Sequence, residues 1–146
     1  MSNNRILFNI EFPDAWQDQT VHTFMGPDDG GIQHMLTVII DKNVGDMELN
    51  DFARERIDNV IDTMQSIEVL KDEQKDLENG RPVHEFVYRW IPTPDKVIFK
   101  KHIFMILDGI GYTFSADFSK KTLKTIAMQV EQMIDSFEPI AIPDED

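Results

Sequence analysis

The chain has 146 residues, 41% hydrophobic and 28% charged, which fits one folded domain with a real core rather than a disordered segment. Its 27 acidic residues against 14 basic give a formal charge of -13, which argues against nucleic-acid binding and against unaided docking on anionic membranes. Cysteine is absent, so disulfides, thiolate metal sites and cysteine nucleophiles are excluded.

Residues 1–5 run straight into alternating sequence with no continuous apolar h-region, and no stretch approaches the roughly 18–20 apolar residues of a membrane span. The expected location is therefore the cytoplasm, without membrane insertion. Residues 6–12 alternate, with Ile6, Phe8, Ile10 and Phe12 on one side, which predicts a half-buried strand. Pro13-Asp14 ends it. Thr20–Met25 reads as a second strand, Gly26-Pro27-Asp28-Asp29-Gly30-Gly31 as a turn, and Ile32–Ile40 as a third strand closing a hairpin.

The period then changes. Leu49, Phe52, Ala53, Ile57, Val60, Ile61 and Met64 fall at helical spacing, with Asp46 or Asn50 placed to cap the start. Strands follow at 67–77, 83–91, 97–107 and 110–116, the last two joined by Asp108-Gly109. A second helix starts at Ser119 and carries the stripe Leu123, Ile126, Ala127, Val130, Met133, Ile134 and Phe137. Pro139 and Pro143 stop it. Residues 1–140 read as one domain and 141–146 as a loose acidic tail.

The expected fold is α+β, an antiparallel sheet with both amphipathic helices on one face and an open, groove-forming face opposite. In 97–107, Val97, Phe99, Ile103, Met105 and Leu107 suit the covered side. Ile98, Lys100, His102, Phe104 and Ile106 form a mixed strip, too apolar for plain solvent and too polar for a dry core, as a recognition groove needs.

Catalytic and metal motifs are missing. The loop 41–46 departs from calcium-loop spacing, with Phe52 where the bidentate Glu belongs. His22, His34, His84 and His102 show no metal-binding spacing and read as partly buried strand histidines. There is no Gly-x-Ser-x-Gly elbow and no phosphate-cradling glycine loop. Phe86, Tyr88 and Trp90 share one strand face and read as aromatic core. No enzyme activity, cofactor or metal is expected.

The run Phe12-Pro13-Asp14-Ala15-Trp16, followed by a strand at Thr20-Val21, resembles the opening of the DcrB-related family. Val38-Ile39-Ile40-Asp41 before a loop and helix, and Gly80-Arg81-Pro82 leading to Tyr88-Arg89-Trp90, continue the likeness. It implies a PsbP-like fold. Members without a signal peptide resemble the Eag chaperones of type VI secretion, dimeric adaptors that hold N-terminal transmembrane segments of toxic effectors and help load them on a VgrG spike. The implied partners are such an effector, VgrG through it, and a second copy of the chain as a homodimer. The implied groove residues are Val21, Thr23, Ile98, Lys100, His102, Phe104, Ile106 and Thr113. Lys100 and His102 stand where the family carries glutamines. A one-residue slip would substitute His22 and Phe24 for Val21 and Thr23. The alternative is a non-catalytic subunit that uses the open face as an interface in a larger assembly.

Overall fold

The computed structural model describes residues 10, 11, 13–16, 19–42 and 44–140. The strand expected at 6–12 lies outside them except for Ile10 and Glu11, which carry no regular structure, and the acidic tail lies outside them entirely.

Strands β1 (Thr20–Asp29) and β2 (Ile32–Asp41) form the expected hairpin, but the first strand runs past Met25 to Asp29. A register irregularity between Met25 and Asp28 absorbs Gly26-Pro27, where an edge strand tolerates a proline without its N–H. The reversal falls on Gly30 and Gly31, both at positive φ. Helix α1 (Leu49–Thr63) follows. Its N-cap is Glu48 rather than Asp46 or Asn50, and no side chain caps it. The backbone turns helical one residue before Asn50, so neither neighbour sits at the capping position.

Next come β3 (Ile67–Asp76), β4 (Pro82–Thr93), β5 (Lys96–Leu107) and β6 (Ile110–Phe118). Asp108 and Gly109, both at positive φ, turn the β5–β6 hairpin as the sequence indicates. Ser119 opens a single 3-10 turn, Lys120–Thr122, and its backbone N–H donates to Thr122 Oγ1 at 3.0 Å. Helix α2 proper is Ile126–Asp135. The six strands form one antiparallel sheet in the order β1-β2-β6-β5-β4-β3.

The sheet and its two helices match the expected class, but the helices are not on one face. Ile126, Val130 and Ile134 of α2 pack on Leu36, Val38, Ile103, Met105, Tyr112 and Phe114. Phe52, Ala53 and Ile57 of α1 pack on Phe86, Tyr88 and Phe104. Ile103 and Phe104 are adjacent in β5, and successive strand residues point to opposite faces. One helix therefore covers each side, and the two apolar faces of β5 are both used. That corrects the expectation of two helices on one face. An amphipathic stripe says that a helix buries one side; it does not say against which face.

Candidate functional site

Helix α1 covers only part of its face. Its main contacts run to β4 and β5, and beside it the sheet continues through most of β6, β2 and β1 with no helix of the described residues over them. A groove of about 530 Å³ lies there. Ile39, His102, Thr113 and Ser115 form its floor, Arg56, Asn59 and Val60 of α1 one wall, and Gln19 and Asp41 lie at its margin. A second cleft, of about 80 Å³, lies on the opposite face between α2 and the β1–β2 hairpin.

Strand pairing aligns the floor in two rows that cross the sheet. Thr23, Thr37, Ser115 and His102 are successive register partners, and Val21, Ile39, Thr113 and Phe104 form the next row. Val21, the register partner of the floor residue Ile39, is 50% exposed beside the groove.

Two buried polar atoms of the floor have no hydrogen-bond partner among the described residues. Thr113 is only 7% exposed, and its Oγ1 makes no hydrogen bond. His102 pairs through Nδ1 with Ser115 Oγ at 2.6 Å, while its buried Nε2 has none. Its ring lies nearly parallel to those of Phe86, Tyr88 and Phe104. Burial, then the nearby charge of Lys100, pushes His102 down to about 4 against the opposing pull of Asp117. The ring is therefore neutral at physiological pH. Following its Cε1 proton by NMR, we expect a titration midpoint near 4; a midpoint above 6 would mean that the ring is well solvated.

Removing the unpartnered hydroxyl should help the free protein. Thr113→Val keeps the shape and is expected to stabilise the chain by about 1 kcal/mol, read as a higher midpoint in urea unfolding. A loss of stability would show that the hydroxyl is satisfied after all.

At the wall, Arg56 ties α1 to β2. Its guanidinium donates to Asp41 Oδ2 at 3.1 Å and to the Phe52 carbonyl at 3.1 Å, and lies 3.8 Å over the Phe52 ring. Gln19 donates to the other Asp41 oxygen at 3.0 Å. These bonds hold the helix at a fixed distance from the strand and so set the groove's width.

Of the residues expected to line the groove, His102, Phe104 and Thr113 do so. Val21 and Thr23 continue its two rows on the same face, which fixes the register against His22 and Phe24. Phe104 is mostly core, buried against Phe52 in an edge-on contact at 6.2 Å. Ile98, Lys100 and Ile106 share the face but stand outside the groove. Ile106 belongs to the α1 core, and Ile98 is opposite Trp90. Lys100 pairs with Asp117 at 3.2 Å and lies over the Trp90 ring. Sequence reasoning missed Ile39, Thr37 and Ser115, although the alternation of β2 and β6 carries the signal. The α1 wall carries none, because its position depends on which face the helix takes.

His34 and His84 are tied into the hydrogen bonding of the fold. His34 Nδ1 donates to the Pro27 carbonyl at 2.8 Å, which leaves Nε2 to accept from Thr122 Oγ1 at 2.9 Å. His84 Nε2 meets Asp72 at 2.6 Å. Among the described residues no group of three His, Asp or Glu could hold a metal ion, and no helix is long and apolar enough to cross a membrane.

The family model for DcrB matches residues 9–136. The chain belongs to the DcrB family. No curated protein matches it significantly. Among solved structures, the DcrB-family chain is similar to PA94 of Pseudomonas aeruginosa, a protein of unknown function, at TM-score 0.70 and 18% identity, covering 91% of this chain and 92% of that one. It is also similar to LpqN of Mycobacterium tuberculosis, involved in cell envelope biogenesis, at TM-score 0.51 and 10% identity over 80% of each chain. The cyanobacterial PsbP of Synechocystis sp. PCC 6803 matches at TM-score 0.51 and 17% identity, over 87% of this chain and 83% of that one. At these identities the structural likenesses establish the fold alone, which is PsbP-like. The family match also overturns the expected cytoplasmic location, because DcrB-family proteins are periplasmic. That expectation rested on the missing h-region and the missing apolar span in the sequence.

Proposed function

We propose that this DcrB-family protein is a non-catalytic binding subunit whose partner protein occupies the groove between α1 and the β1–β2 edge. The observation that carries the proposal is the groove itself, open beside α1, with the exposed apolar side chain of Val21 next to its floor. Burial there by a partner contributes roughly 25 cal/mol for each Å² of apolar surface removed from water. Val21 and Ile39 supply such surface.

A more specific form makes the partner an N-terminal transmembrane segment of a type VI secretion effector, passed on with its VgrG spike. The sequence resemblance supports this form, and an apolar groove suits such a segment. A homodimer would offer two grooves to one client and bind it with avidity. The broader interface role needs neither assumption, and the groove geometry supports it directly.

Neighbouring residues on opposite faces of one strand allow a test. The full chain is co-expressed with a tagged N-terminal transmembrane segment of that effector class, and co-purification is measured. Val21→Asp and Ile39→Asp should each abolish it, whereas Phe24→Asp, on the α2 side of β1, should leave it intact. No co-purification removes the effector form. Co-purification undiminished by Val21→Asp and Ile39→Asp, in proteins with unaltered circular dichroism, removes the groove.

A further inference from the structure

We propose that the free edge of β1 is a second binding site, where a partner protein adds an extended segment flanked by lysines or arginines to the sheet. The edge is separate from the groove and does not depend on it.

The two edges of the sheet are unlike. β3 carries Lys71, Asp72, Glu73, Lys75 and Asp76, and its register breaks between Val69 and Lys71. Charges and bulges of that kind keep a foreign strand from pairing. β1 pairs among the described residues with β2 alone, and its stretch from Thr20 to Met25 is in unbroken register and holds no Asp, Glu, Lys or Arg. Val21, Phe24 and Met25 there are 50%, 51% and 66% exposed, so apolar surface accompanies the open backbone. Every second residue of an antiparallel strand turns its N–H and C=O away from its partner. Three of these six residues therefore offer both groups to the free edge. The register irregularity between Met25 and Asp28, at Gly26-Pro27, ends the regular stretch. The footprint is about six residues, roughly 20 Å of extended chain.

Charge selects the occupant. Residues 6–41, which include the whole β1–β2 hairpin, hold Glu11, Asp14, Asp18, Asp28, Asp29 and Asp41 and no lysine or arginine. Basic flanks are therefore attracted and acidic ones repelled. A second copy of the chain would set this acidic hairpin against itself. The chain's own Ile10 and Glu11 carry no regular structure and do not pair with β1. In a partner strand the backbone bonds supply the affinity, while contacts to Val21 and Met25 on one face and Phe24 on the other supply the selectivity.

Amide hydrogen exchange of the full chain, followed by NMR, tests the proposal with a synthetic peptide of three Val-Thr repeats between pairs of lysines. In the free chain alternate amides from Thr20 to Met25 should exchange fast, and saturating peptide should slow those same amides by about tenfold, equivalent to about 1.4 kcal/mol. The same peptide N-methylated throughout its repeats keeps the side chains, loses the donors and should not slow them. Replacing its lysines with glutamates should weaken the effect. Ile39→Asp, which alters the groove floor, should leave the slowing unchanged, so the edge and the groove fail independently. Amides already slow in the free chain would mean that the chain itself fills the edge, and that result overturns the proposal. So does an absence of slowing, equal slowing by the N-methylated peptide, or slowing lost in Ile39→Asp.

Discussion

Glu85→Ala is expected to destabilise the protein by about 3–5 kcal/mol, a fall of roughly 10 °C in Tm for a domain of this size. The side chain sits on the α2 side of β4 and is 2% exposed. Lys101 Nζ lies 2.9 Å from its Oε2, Lys75 Nζ 3.2 Å from the same oxygen, and Lys71 Nζ 3.6 Å from Oε1. Lys101 and Lys75 also reach Glu131, so the cluster fastens α2 to three strands. Burial by itself would raise Glu85, but the hydrogen bond and charge of Lys101, then of Lys75, outweigh it and hold the carboxyl below its ordinary range. Burial pulls Lys101 down, partly offset by Glu85. Removing the carboxylate leaves a largely buried ammonium facing two other lysines.

The sign of the pH dependence follows. A carboxyl lowered on folding contributes its full stabilisation above its unfolded value of about 4.3. That contribution is lost as the pH falls below that value and through the lower folded one. Thermal melts of Glu85→Gln should therefore show a shallower acid limb than those of the parent. Glu85→Met combined with Lys101→Met should regain at least half of the loss, because an apolar pair needs no desolvated charge. A single variant with unchanged Tm would mean that the cluster is solvated and carries little.

Phe52→Ala is the second large effect, expected at about 3–5 kcal/mol. Phe52 is fully buried and is the pivot of α1. It meets Phe104 edge-on, lies under the Arg56 guanidinium and fills the space above Gly111. A Cβ at Gly111 would come within 2.4 Å of the Phe52 ring, so that glycine is needed for close approach rather than for backbone freedom. Gly111→Ala should destabilise the parent and cost less in a Phe52→Leu background, a coupling that a double-mutant cycle in urea measures directly. Loss of Phe52 also frees the groove wall, so Phe52→Ala should weaken partner binding even at temperatures where the protein remains folded.

Strand and helix positions were legible because period two and period 3.6 are local properties of the chain. The β5–β6 turn was legible for the same reason. The placement of the helices was not, since α1 and α2 each show one apolar stripe and either sheet face would satisfy it. The informative signal was β5 itself. Phe104 and Ile106 are apolar opposite Ile103 and Met105, and a strand apolar on both faces is covered on both. The mixed character of the strip from Ile98 to Ile106 now divides in two. Phe104 and Ile106 are core beneath α1, and His102 is groove floor. Thr113 and Ser115 are hydroxyls that any strand surface tolerates, so only the register across β2, β6 and β5 turns them into part of a line.

Site-specific photo-crosslinking in the native host tests the groove most directly. A photoreactive residue at position 39, on the floor, should give one discrete adduct, and the same residue at position 24, on the opposite face, should give none. The adduct at position 39 should disappear in the Val21→Asp background. Adducts at position 24 alone, or at position 39 with no dependence on Val21, would contradict a partner seated between α1 and the β1–β2 edge.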